Sequence, residues 1–157
     1  MARLRWWVLA LAALVVLVIV PVAAAAPPPP TTFVAVLTAA EEVPLCGPAT
    51  NAARGVAIFH VVDQETGTVE YKIVANNLPG TPNNAHIHLG ATGVRGGVIQ
   101  GLNLIPGAEN GVIGEGSFTN PDLLAALQEN PQAYYVNVHS DVCNPGVIRG
   151  QLGEQGP

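Results

Sequence analysis

Basic residues are scarce in this chain of 157: Lys and Arg number 6 against 11 Asp and Glu, for a formal charge of −5. That balance cannot build a phosphate-binding face, which excludes nucleic acid as a partner. Charge of either sign is sparse, at 11% of residues. The chain is nonetheless rich in Val, Ile and Leu, a composition that excludes intrinsic disorder. The two cysteines form no Cys-x-x-Cys pair and neither has a neighbouring cation, so dithiol redox chemistry has no footing. No Ser/His/Asp order, phosphate-cradling glycine motif or paired-carboxylate site stands out, and no repeat runs at a fixed period. The length corresponds to one domain.

The apolar residues are unevenly spread. Arg3 and Arg5 precede an unbroken apolar run from Trp6 to Val20, which Pro21 breaks before the small residues Val22 to Ala26. Residues 1–26 thus read as a secretory signal peptide, cut after Ala24 or Ala25. The alternative is an uncleaved N-terminal anchor, since Trp6 to Ala26 is long enough to span a bilayer. Membrane attachment is expected only in that second case. Either way the remainder is exported to the extracellular space or the cell envelope. Residues 27–31 form a Pro-rich linker, residues 32–152 the folded domain and residues 153–157 a tail.

The folded part reads as short strands between turns. Thr32 to Thr38 is β-branched and aromatic. Glu41 to Pro48 is a loop with Pro and Gly breakers. Arg54 to Val62 and Thr68 to Ala75 alternate across the turn Asp63–Gly67, with Ala57, Phe59, Val61, Val69, Tyr71 and Ile73 facing inward. After a loop from Asn76 to Asn84, further strands are predicted over Ala85–Leu89, Val98–Leu104, Val112–Phe118, Ala133–His139 and Val147–Leu152. A loop, Asp141 to Gly146, separates the last two. Asn120-Pro121-Asp122 marks the start of one short helix, with Asn as N-cap and Leu123, Leu124 and Leu127 on its apolar side. The expected fold is all-β, an antiparallel sandwich of Greek-key-like, superoxide-dismutase- or immunoglobulin-like architecture with one short helix.

Cys46 and Cys143 are the only cysteines of an exported chain, and pair as a structural disulfide. The histidines are the one chemistry-bearing cluster. His86 and His88 leave the same face of a strand, and alternation puts Tyr135, Asn137 and His139 on one face of another. Arg149 and Gln151 share the outer face of the last strand. If these strands are neighbours, His86, His88, Asn137, His139, Arg149 and Gln151 form one polar patch. Two readings of it stand side by side. His86, His88 and His139 are the residue type that holds copper or zinc, or the patch hydrogen-bonds loop carbonyls. His60 is a lone surface histidine. Glu42, beside Pro44, reads as a solvated charge, although it is the one acid whose place in a sequence block, Glu42-Val43-Pro44, suggests more than that.

Several blocks carry a family resemblance: Glu42-Val43-Pro44, Arg54 to Phe59, Asp63-x-x-Thr66-Gly67-Thr68-Val69-x-Tyr71, Ala85-His86-Ile87-His88-x-Gly90, Tyr135 to Ser140, and Pro145-Gly146-x-Ile148-Arg149-Gly150-Gln151-Leu152. Together they resemble the CHRD domain, named for chordin and found in many secreted bacterial proteins. The resemblance implies an extracellular β-sandwich module and brings no assigned activity. A fainter likeness is to copper/zinc superoxide dismutase, through its His-x-His strand. With four His in total and no dense His/Asp loop for zinc, dismutase activity is not expected. Three functions are weighed: a non-catalytic secreted or envelope module, binding or structural, whose polar patch serves hydrogen bonding or contact with an extracellular protein partner; a copper- or zinc-binding protein using His86, His88 and His139; and a metal-dependent oxidoreductase.

Overall fold

The structure, a computed structural model, describes residues 27–47 and 52–155. The segment read as signal peptide or anchor, 1–26, lies outside the described residues. Among the described residues no helix is long and apolar enough to cross a membrane. Eight strands follow one another: β1 (Thr32–Thr38), β2 (Arg54–Asp63), β3 (Thr68–Asn76), β4 (Pro82–Leu89), β5 (Val98–Leu102), β6 (Gly111–Thr119), β7 (Tyr134–Ser140) and β8 (Cys143–Gln155). One helix, α1 (Pro121–Glu129), joins β6 to β7.

All eight strands belong to one sheet in the order β5-β4-β7-β8-β1-β2-β3-β6, and every neighbouring pair is antiparallel. The sheet curls into a nearly closed barrel, whose two ends meet at an isolated bridge between Leu104 and Gly114. The all-β antiparallel architecture with one short helix is therefore the one the sequence pattern predicts. Its two halves, β6-β3-β2-β1 and β8-β7-β4-β5, are continuous through the β1–β8 pairing.

Period-2 alternation explains the core. Phe33, Ala35 and Leu37 of β1, Ala57 and Phe59 of β2, and Val69, Ile73 and Ala75 of β3 are fully buried. Ile87 of β4, Val136 and Val138 of β7, and Ile148 of β8 close the opposite wall. Each large aliphatic or aromatic side chain so buried contributes about 1.5–3 kcal/mol. The helix adds Leu123, Leu124 and Leu127 to the same core. Its start is fixed locally, because the Asn120 side chain accepts from Leu123 N at 3.0 Å and Pro121 occupies the first turn.

Three strands differ from the sequence pattern by two residues or more at an end. β4 begins at Pro82, inside the predicted loop, because Pro82 and Asn84 already pair with Ser140 and His139 of β7. β5 stops at Leu102 rather than Leu104, where only the isolated bridge remains. The predicted loop Asp141–Gly146 is a tight turn, and β8 runs from Cys143 to Gln155, with Gly153, Glu154 and Gln155 paired to β1. Pairing partners far along the chain decide these limits, and a local pattern does not contain them.

Cys46, after β1, is bonded to Cys143 at the start of β8, 97 positions along the sequence, with Cα atoms 6.1 Å apart. A loop of that length constrains the unfolded chain strongly. Replacing both cysteines with Ser should lower stability by on the order of 2–5 kcal/mol, as read from urea unfolding. Asn120→Ala, which removes the helix cap, should lower it by about 1 kcal/mol.

Candidate metal centre

The outward-facing residues of β4, β7 and β8 stand in register. Asn84 pairs with His139, His86 with Asn137 and His88 with Tyr135 across β4 and β7; Asn137 pairs with Arg149 and Tyr135 with Gln151 across β7 and β8. The structure thus brings His86, His88, His139, Asn137, Arg149 and Gln151 onto one surface. It leaves His60 elsewhere, exposed on β2 and 3.3 Å from the Thr32 hydroxyl.

This outer surface is roofed by two loops. The glycine-rich stretch after β4 supplies carbonyls: Arg149 Nη2 donates to Ala91 O at 2.9 Å, and Gln151 Nε2 to Gly90 O at 2.6 Å. Gly96 joins from both sides, its N–H donating to the Tyr135 hydroxyl at 3.1 Å while its carbonyl lies 3.1 Å from His88 Nδ1. From the other direction comes the loop after β1, which carries Glu42. Asn137 Nδ2 donates to Glu42 Oε1 at 2.6 Å. Glu42, Asn137 and Arg149 are all buried. Glu42 is therefore not a solvated charge, because the Cys46–Cys143 bond ties its loop to β8, where its carboxyl packs on Gly146.

Two glycines make this packing geometrically possible. Gly146, at φ +134°, would place a Cβ 2.7 Å from both carboxylate oxygens of Glu42. Gly150, between Arg149 and Gln151, would place one 2.7 Å from the Val36 carbonyl carbon of β1. Any side chain at either position collides with what it now packs against.

At the centre, aromatic and cationic groups stack. The Arg149 guanidinium lies 3.5 Å from the Tyr135 ring centroid, a cation–π contact. The His88 ring stacks on Tyr135 at 4.7 Å with an interplanar angle of 8°. The same histidine shares a group with His86 and His139 in which one ring nitrogen from each lies within 4.8 Å of the others.

The tautomers follow from the hydrogen bonds. His139 Nδ1 sits 2.6 Å from Asn144 O and His88 Nδ1 3.1 Å from Gly96 O, so both Nδ1 atoms carry the proton and both Nε2 atoms present lone pairs. His139 Nε2 faces His86 Nδ1 at 3.1 Å. His88 Nε2 is buried with no hydrogen-bond partner. A carbonyl behind an imidazole is the support that metal-binding histidines use to fix tautomer and ring orientation. Two nitrogens on one tetrahedral ion lie about 3.3 Å apart, close to the His86–His139 spacing. The widest pair need close by at most about 1.5 Å on the same reckoning.

Electrostatics keep the cluster ready to donate electron pairs. Burial, then the charges His139 and His88 would carry, push His86 down to about 4. Burial also lowers His88, joined by His139, Arg149 and Arg95 and opposed by the Gly96 carbonyl. Glu42 moves the other way. Burial pushes its carboxyl up to about 8, outweighing the attraction of Arg149 and the hydrogen bonds from Asn137 and the Val43 backbone.

A cleft of about 300 Å³ opens over these groups, lined by the three histidines, Glu42, Asn137 and Arg149, with Arg95 and Pro145 at its sides. The loop carbonyls that the sequence reading expected the patch to bond are those of residues 90–96, but that reading neither named this loop as their source nor singled out Arg95. The only local signal for them is the density of glycine directly after the His-x-His strand. Compared with known proteins, the chain matches the family model of the CHRD domain over residues 33–152. No curated protein matches it.

The raised Glu42 gives a stability prediction of definite sign. Its folded pKa lies above its unfolded one, so the folded state is favoured in full below about pH 4.5 and loses that advantage as pH rises through about 8. Glu42→Gln removes the titration. Between pH 5 and pH 8, urea unfolding should show the parent protein losing more than about 1 kcal/mol relative to this variant. A difference that stays flat with pH would mean that Glu42 is ionised throughout.

Proposed function

The chain belongs to the CHRD domain family, and from that membership and the histidine geometry we propose that it is an extracellular, non-catalytic module that holds a copper or zinc ion on His86, His88 and His139. The family and the Cys46–Cys143 disulfide fit an oxidising, extracellular setting. The metal reading is carried by one observation: three imidazole donors lie within 4.8 Å of one another, with the buried Nε2 of His88 unpartnered. An unpartnered buried polar nitrogen costs about 1–3 kcal/mol. A bound ion removes that cost.

The donor set narrows the choice of ion. Neutral imidazoles suit zinc and copper, whereas calcium and magnesium take oxygen ligands. His88 and His139 would bind through Nε2, each backed by its carbonyl. His86 would bind through Nδ1, its proton passing to Nε2, so the ion takes the place of the hydrogen bond between His86 and His139. With His86 held neutral at pH 7, no net proton has to leave it.

Calorimetric titration of the purified protein at pH 7 should give one copper or zinc ion per chain. Replacing His86, His88 or His139 singly with Ala should weaken binding by at least about tenfold, while His60→Ala should leave it unchanged. Bound metal should also raise the unfolding midpoint, since it favours the folded state by mass action. Equal binding by the parent and a variant lacking all three histidines would leave the cluster as a purely hydrogen-bonded one.

A further inference from the structure

The three imidazoles bring no negative charge to an ion, and among the described residues no Asp or Glu joins their group. Glu42 lines the same cleft, but its Oε1 is taken by Asn137 at 2.6 Å and its carboxylate is clamped against Gly146. A divalent ion held by the histidines alone therefore keeps both positive charges. Three protein ligands also leave it a coordination position open.

What borders that position is cationic and roomy. Arg95, on the glycine-rich loop, is exposed at the side of the cleft and forms no ion pair or hydrogen bond among the described residues. Arg149 is already committed to Ala91 O and to the Tyr135 ring, which leaves Arg95 as the cation free to meet a ligand. Val43, Gly96, Gly97, Val98 and Pro145 also line it and contribute no charged side chain. An acidic chain with a −5 formal charge thus concentrates positive potential at one cleft.

Building on the metal reading, we infer that the ion takes a small exchangeable monoanion as its fourth ligand, held between the three histidines and Arg95. The ion's two charges and the Arg95 guanidinium attract an anion, and the one open coordination position accepts a single donor atom, which a monoanion supplies. Azide, a halide and a one-carbon carboxylate are anions of this class.

Azide is the probe. The full chain, loaded with one equivalent of copper(II), is titrated with sodium azide at low salt, and the azide-to-copper charge-transfer absorption is followed. A saturable band should grow in. Arg95→Gln should weaken azide binding roughly threefold, the effect of removing one exposed charge that acts through a hydrated cleft, without lowering copper stoichiometry. Arg95→Lys should restore most of the affinity, and added salt should erase the difference between variants. Copper bound at full stoichiometry with no azide band, or with equal azide affinity in Arg95→Gln, overturns the anion site and leaves the metal reading standing. Failure to bind copper or zinc at all overturns both.

Discussion

A guanidinium buried on the outside of a barrel is the constraint around which this surface is arranged. Arg149 is 2% exposed, and a charge withdrawn from water costs several kcal/mol unless its hydrogen bonds and counter-charge are supplied. Here Ala91 supplies a carbonyl and Tyr135 a ring face, and Glu42, in the same buried layer, adds a negative charge that Arg149 attracts as pH approaches about 8. Each compensation comes from a different part of the chain, so all three must be in place together. The glycine-rich loop has to fold back over the sheet, and the loop after β1 has to press down from the opposite direction. The histidines benefit from this packing. His88 stacks on the ring that Arg149 covers, and Gly96 of the same loop orients its imidazole.

Such an arrangement sets two buried titrating groups against each other. Glu42, raised by burial, destabilises the fold as pH climbs toward 8, whereas His86, lowered by burial, destabilises it as pH drops below its ordinary 6.5. Moderate pH is the compromise between them. A metal on the histidines would relieve the second penalty and leave the first untouched.

Much of this was legible in the sequence where the information is local. Alternation in Thr68 to Ala75, the cap at Asn120 and the shared face of His86 and His88 depend on neighbours within a few residues, and all were read correctly. The polar residues facing outward on β7 and β8 were equally readable, because period 2 assigns faces without knowing the partner strand. What could not be read was the roof. Glu42 meets Asn137 from 95 residues away and Arg149 meets Ala91 from 58. No periodic signal announces such contacts, so Glu42 looked solvated and Arg95 looked like loop. The strand limits failed for the same reason: Pro82 extends β4 only because Ser140 is waiting opposite.

The pairing of β1 with β8 also fixes a direction in space. Thr32 lies opposite Gln155, while Thr38 lies opposite Arg149. The prolines at 27–30 thus join the barrel at one end of these strands, and the buried guanidinium sits at the other. Six residues of strand separate the two, about 20 Å. A barrel tethered through those prolines would hold its histidine cleft toward the far end, pointing away from its attachment and into the surrounding medium.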